Sequence, residues 1–144
     1  MKTFINKNKT VSEAFEFVTK EASNNDEKIK ILQKLKSRSM KWVVQAMYTR
    51  DLSKYPIPKF EYNHRDAGIC YATIHNSINR MESAFRVYDK GNEAKYNDLM
   101  TLVLQELPKE EAELLIDVMA GKKTRGISKT VWKKIYPEFF RSEQ

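Results

Sequence analysis

Apolar residues recur at helical spacing along nearly the whole chain, and no segment shows the alternation typical of a β-strand. Four glycines and four prolines in 144 residues leave little turn chemistry for a many-stranded protein. A chain of this length can bury its own core. We therefore predict an all-α fold, with residues 1–144 forming a single compact domain of about six or seven helices.

Local signals place the helices. Thr10 and Glu13 form a capping box, and the helix that follows has the apolar face Val11, Ala14, Phe15 and Val18. Further helices are predicted from near Asp26, from Met40 to about Leu52, from Ala67 to about Asp89, from about Glu93 to Leu107, from Pro108 through Val118, and over 129–136. Gly91 is predicted to cap a helix end, Gly121 to stop a helix, Ser128 to cap the last helix and Pro137 to end it. The segments left outside helices are an N-terminal tail (1–9), a proline and aromatic loop (53–66) and a basic Gly-x-Ser loop (121–128).

The net charge of +7 is distributed unevenly. Residues 1–60 hold 13 Lys and Arg against 6 acids, residues 61–120 hold 6 against 11, and residues 121–144 hold 7 against 2. Two basic ends around an acidic middle suggest a basic face built from both termini, and nucleic acid is the commonest partner for such a face. The alternative is that the chain is merely basic.

Catalytic and metal-binding patterns are sparse. Cys70 is the only cysteine, and the two histidines, His64 and His75, have no serine or cysteine at a recognisable spacing. No phosphate-binding glycine motif is present, and the acids of 109–113 suit the first turn of a helix. We predict no enzyme activity, no cofactor and no metal site.

The chain has no apolar run near the roughly 20 residues needed to cross a bilayer, and its start lacks the core of a signal peptide. We expect a cytoplasmic protein with no membrane partner, located in the host cytoplasm if it is viral.

The basic turn after Gly121 has a physical rationale. Backbone amides at a helix start hold a phosphate well, and Gly126 would let a phosphodiester approach without a side chain in the way. Ser128 can cap the helix and offer its hydroxyl, while Trp132 and Tyr136 are expected to anchor the helix to the core rather than stack on bases. Such contacts would position a duplex by its backbone and read no sequence. The alternative is an ordinary C-terminal helix with surplus lysine.

The segment LLIDVMAGKKTRGISKTVWKKIYPEFF (114–140) resembles the end of the N-terminal DNA-binding domain of ATP-dependent DNA ligases, particularly those of phage type. The shared order is a helix, a basic loop, a Gly-x-Ser turn and a short helix ending in an aromatic-proline pair. The resemblance extends more loosely to WVVQAMYTRDLSKYPIPKF (42–60) and to the helix, linker and helix of 85–119.

The resemblance implies an all-helical domain that grips the minor-groove side of nicked duplex, while separate domains carry out adenylation and sealing. Gly126 and Ser128 match the tight turn. Where the family has an Arg-Asp pair, this chain has Gly121 and Lys122, which implies that an internal salt bridge in the loop is lost. The Lys-x-Asp-Gly signature of the catalytic lysine is absent, so sealing would require a separate catalytic chain or domain.

We therefore predict a non-catalytic protein that binds duplex DNA, nicked or intact, through its phosphate backbone and without sequence specificity. The predicted contacts are Lys122, Lys123, Arg125, Gly126, Ser128, Lys129, Thr130, Lys133 and Lys134, together with Lys41, Arg50, Lys54 and Lys59. The alternative is a small helical phage factor that reuses this fold to bind a host or replication protein. The acidic middle and the exposed-looking loop YPIPKFEY would then form its docking surface.

Overall fold

The computed structural model describes residues 10–62, 73–122 and 126–143, and helix is the regular structure found throughout them, without a β-strand. The all-α prediction is confirmed for these residues. The helices are α1 (Val11–Glu21), α2 (Asn25–Leu35), α3 (Arg38–Thr49), α4 (Ile74–Asp89), α5 (Glu93–Glu106), α6 (Lys109–Met119) and α7 (Lys129–Ile135), followed by a 3₁₀ helix (Pro137–Glu143).

Several helix ends lie where local chemistry predicted them. The Thr10 hydroxyl accepts from the Glu13 amide at 3.3 Å, and the Thr10 amide donates to the Glu13 carboxylate at 3.0 Å, which completes the capping box. Gly91 and Gly121 follow the ends of α4 and α6 with φ of +90° and +84°. These are left-handed conformations that glycine adopts without a steric penalty, so both predictions are confirmed.

Other boundaries differ from the sequence prediction. Helix α3 begins two residues early because the Ser37 hydroxyl accepts from the Met40 amide at 3.1 Å. It also ends early, at Thr49, and Pro108 takes the cap position before α6 instead of a place in its first turn. The predicted tail (1–9) and the stretch 63–72, which holds the predicted start of the longest helix, His64 and Cys70, lie outside the described residues.

The core is formed both by consecutive helices and by helices that are distant in sequence. Helix α2 packs on α7, α4 packs extensively on α5, and α1 contacts both α2 and α6. The Phe15 ring lies 5.5 Å from that of Trp132, and the Tyr48 ring lies 5.0 Å from that of Phe140. Trp132 and Tyr136 are 1% and 2% exposed, so their predicted role as core anchors is confirmed.

The loop after α3 is fastened to α4 and α5 by an aromatic cluster. The Tyr55 ring stacks on Phe85 at 4.3 Å, and its hydroxyl donates to the Asp89 carboxylate at 2.9 Å. The Tyr96 hydroxyl donates to the Pro56 carbonyl at 2.6 Å. Tyr55 is therefore a core residue, while most of the remaining residues of the loop YPIPKFEY are exposed.

One carboxylate joins three helices. Glu111 in the first turn of α6 is 1% exposed and accepts from the Ser12 amide at 2.9 Å and from the Ile74 amide at 3.5 Å. These amides belong to the first turns of α1 and α4, where backbone donors have no partner within their own helix. Burial raises the pKa of Glu111 although these hydrogen bonds favour its charged form. From the sequence, Glu111 is predicted only to compensate the dipole of its own helix.

Candidate nucleic-acid interface

Helix α7 presents one apolar and one basic face. Val131, Trp132 and Ile135 point into the core. The exposed positions are Lys129, Thr130, Lys133 and Lys134. Because 3.6 residues make one helical turn, the two sets fall on opposite sides, and packing of the apolar face fixes the basic face towards solvent. The four exposed residues all belong to the predicted set.

The glycine turn before α7 is fixed against α1. Gly126 has φ of +81°, and a Cβ added there would lie 2.5 Å from Cγ2 of Thr19. The missing side chain therefore makes room for α1, and the prediction that it makes room for a phosphodiester did not include this contact. Ile127, the next residue, is 2% exposed and closes the turn onto the core.

Ser128 occupies the cap position of α7, but its side chain makes no capping hydrogen bond. The Ser128 carbonyl instead accepts from the Val131 amide at 3.1 Å and from the Trp132 amide at 3.2 Å. The predicted capping role thus holds for the backbone and not for the hydroxyl, which lies on an exposed residue.

The loop after α6 contains an ion pair that the ligase resemblance did not lead us to expect. Lys122 Nζ lies 3.7 Å from the Asp117 carboxylate, and the Lys122 amide donates to the Asp117 carbonyl at 2.9 Å. This pair joins the loop to α6 and is not the Arg-Asp pair of the ligase family, so the implied loss of that pair stays a prediction. Lys123 and Arg125 lie outside the described residues.

The four basic residues predicted from the first sixty positions fall into two groups, those paired with an acid and those exposed. Arg50 donates to the Glu82 carboxylate at 2.5 Å and lies over the Phe85 ring at 5.6 Å. Lys54 lies 3.5 Å from the Asp89 carboxylate. Both side chains are thus paired with acids of α4, while Lys41 and Lys59 are exposed. None of the contacts described for these four residues joins them to α7.

The Glu82 carboxylate is the centre of the Arg50 contact. It also accepts from the Trp42 indole at 2.9 Å. Burial would raise its pKa, but hydrogen bonds from Arg50 and Trp42 outweigh burial and hold the pKa of Glu82 below its usual range. Arg50 therefore contributes to the α3–α4 contact, and its charge is largely compensated.

Lys28 of α2 and Lys36, the residue that follows this helix, adjoin α7, and neither is among the predicted contacts. Lys28 Nζ donates to the Gly126 carbonyl at 2.9 Å. Lys36 Nζ lies 3.5 Å from the Ile135 carbonyl and 5.1 Å from the centre of the Tyr136 ring. Lys30 and Lys34 are exposed on the same helix. The sequence shows four lysines within residues 28–36, but it does not show which helix they lie beside. The packing of α2 on α7 places them next to the basic face.

An acidic cleft of about 450 Å³ lies between α1 and α6, next to the turn. It is lined by Ser12, Phe15 and Thr19 together with the acids Glu16, Glu110, Glu113 and Asp117. Glu16 pairs with Lys20 at 2.6 Å, and Asp117 pairs with Lys122. Thr19 lies both in this cleft and against Gly126, so the basic and acidic surfaces meet at the turn.

Comparison with protein-family models, with curated proteins and with solved structures gives no match. The resemblance to ligase DNA-binding domains therefore stays a prediction. In the part of the chain that the structure describes, no helix combines the length and the apolar character needed to cross a membrane.

Proposed function

We propose that this protein binds duplex DNA through the phosphate backbone, without sequence specificity and without catalysis of its own. The observation that carries the proposal is the exposed face of α7, where Lys129, Lys133 and Lys134 surround Thr130 beside the lysine-rich helix α2. Lysines grouped on one face attract a polyanion and release its counterions.

The burial of the nearby aromatic rings favours a duplex over a single strand. Trp132, Tyr136 and Phe140 are 1%, 2% and 4% exposed. Proteins that bind single strands use exposed aromatic rings on which successive bases stack. The described part of α7 offers ammonium groups and a hydroxyl instead, which suit phosphate oxygens.

The acidic cleft between α1 and α6 is expected to mark one edge of the DNA-binding surface. The carboxylates Glu16, Glu110, Glu113 and Asp117 line this cleft, which shares Thr19 with the Gly126 turn. Glu16, Glu113 and Asp117 each lie against a lysine, so only part of the negative charge of the cleft would repel phosphate. That remaining repulsion favours a duplex that lies along α2 and α7.

The test is equilibrium binding to labelled nicked duplex, intact duplex and single-stranded DNA at about 50 and 200 mM salt. With about five to seven phosphates neutralised, log K should fall against log salt with a slope of roughly −5 to −6, or about a thousandfold between the two salts. Duplex binding that does not depend on salt, or no binding at the lower salt, would refute the proposal.

A pair of matched variants assigns the surface. The double reversal Lys129→Glu with Lys133→Glu should abolish most duplex binding while leaving the helical circular dichroism unchanged. The control reverses Lys90 and Lys95, which are exposed at the junction of α4 and α5, and removes the same net charge. Equal losses in both variants would mean that only net charge matters and that α7 is not the interface.

Docking to a host or replication protein is the second candidate. In the described part of the loop, Ile57 and Tyr62 are exposed at 38% and 36%, and Leu102 of α5 is the other large apolar residue exposed among the described residues. Capture of a defined protein that survives nuclease treatment, and that is lost on Ile57→Ser with Tyr62→Ser, would favour this function. Salt-sensitive duplex binding that the same variant leaves unchanged would favour DNA.

A further inference from the structure

The Lys28 side chain reaches across the fold to the basic turn. Its Nζ donates to the carbonyl of Gly126, 98 positions away in sequence, at 2.9 Å. Lys28 is only partly exposed, whereas Lys30, two residues further along the same helix, is exposed. Two lysines of α2 therefore carry the same charge in different surroundings.

The turn is held from two sides. Thr19 of α1 lies against the Cα of Gly126, and Lys28 of α2 binds its carbonyl. Helix α7 has only seven residues, too few to be stable alone, so its place depends on packing and on the turn before it. Loss of the Lys28 bond leaves the Gly126 carbonyl without this donor and frees one side of the turn.

We infer that Lys28 is a positioning residue for the basic face of α7. It acts by fixing the Gly126 turn so that Lys129 and Lys133 project together from the first two turns of the helix. This inference rests on the proposed function, because it assigns Lys28 a role in DNA affinity beyond the charge it adds.

The experiment compares Lys28→Met, Lys28→Arg and the control Lys30→Met in the full chain. Each Met variant removes one charge and keeps most of the apolar stem. A lysine that only contacts a phosphate changes the salt slope by about 0.9, which is at most about eightfold in affinity at 0.1 M salt. We expect Lys30→Met to stay within that limit, Lys28→Met to lose more than tenfold, and Lys28→Arg to recover most of the loss.

A second readout does not depend on DNA. The amides of Val131 and Trp132 donate to the Ser128 carbonyl and report on the start of α7. In Lys28→Met their hydrogen exchange should accelerate relative to the amides of α5, and in Lys30→Met it should not. A general loss of stability would accelerate exchange in both helices.

The outcomes separate the inference from the proposed function. If the wild type binds duplex but the two Met variants lose affinity equally, or if exchange in α7 is unchanged in Lys28→Met, the positioning role is wrong and the function stands. If the wild type binds no duplex, the proposed function fails and the positioning role fails with it.

Discussion

Replacing Gly126 by alanine tests the packing of the basic turn directly. The substitution places a residue with a Cβ at φ of +81°, which costs about 1–2 kcal/mol for an L-residue. It also brings that Cβ to 2.5 Å from Cγ2 and 3.3 Å from Cβ of Thr19. Relief of such overlap in a packed region costs about 1–3 kcal/mol, so the expected total loss of unfolding free energy is about 2–5 kcal/mol.

The chain contains its own controls. Gly91 and Gly121 have φ of +90° and +84°, and a Cβ at either would meet nothing within 4 Å. Gly91→Ala and Gly121→Ala should therefore show the backbone cost alone, about 1–2 kcal/mol. The excess for Gly126→Ala over these two variants measures the contact with Thr19.

Thr19→Ser separates the two costs further. Serine lacks Cγ2 but keeps the hydroxyl, which donates to the carbonyls of Phe15 and Glu16 at 3.1 and 2.9 Å. The single variant should cost under about 1 kcal/mol, the value of one methyl group. Combined with Gly126→Ala, it should recover most of the steric part and none of the backbone part.

Urea unfolding followed by circular dichroism gives the free energies, and equal m-values would show that the unfolding transition is comparable among variants. The reasoning fails if Gly126→Ala costs no more than the two control variants. It also fails if the cost of Gly126→Ala is the same in the Thr19→Ser background.

Three further perturbations have expected outcomes. Because burial raises the pKa of Glu111, the folded state holds that proton more tightly than the unfolded state, and stability falls as pH rises from the usual glutamate range through the raised pKa. Glu111→Gln removes this titration, so its unfolding free energy relative to wild type should increase over that pH range; a pH-independent difference in urea unfolding would contradict this. Arg50→Met should cost about 1 kcal/mol, since the pair with Glu82 is about one-third exposed, and should leave duplex affinity unchanged; weaker binding by a stable variant would show that Arg50 contacts phosphate. Glu110→Gln with Glu113→Gln should raise duplex affinity about two- to threefold at low salt and have no effect at high salt, where charges are screened; a salt-independent gain would contradict an electrostatic edge.

Helix ends could be predicted from the sequence where the residues that form the cap lie within one short segment. The capping box of Thr10 and Glu13 closes within four residues, and Gly91 and Gly121 end their helices through their own backbone freedom. The buried face of α7 also follows from its period, with Trp132 in the core. These features depend on local geometry, which the order of residues specifies.

The contacts that place the candidate interface could not be predicted in this way. Lys28 meets Gly126 across 98 positions, and Glu111 meets Ser12 across 99. A helical period shows which face of a helix is buried but not which helix covers it, so the sequence identified the basic face of α7 and missed its neighbour α2. The same limit explains why Gly126 was assigned to a phosphate when its close neighbour is Thr19.

A count of charges treats every basic residue as equally able to attract a partner. The contacts show that the basic residues differ in this respect. Arg50 and Lys54 raise the count for residues 1–60, yet each lies against a carboxylate of α4, so little of their charge attracts a distant phosphate. Lys30 and Lys34 are exposed on the helix that packs against α7, and they add to the field of Lys129 and Lys133. The exposed lysines of α2 and α7 are therefore neighbouring sources of positive charge, and the α1–α6 cleft places carboxylates beside the same turn. A narrow basic strip with one acidic edge is expected to fix the direction in which a duplex lies, which an evenly basic surface would not do.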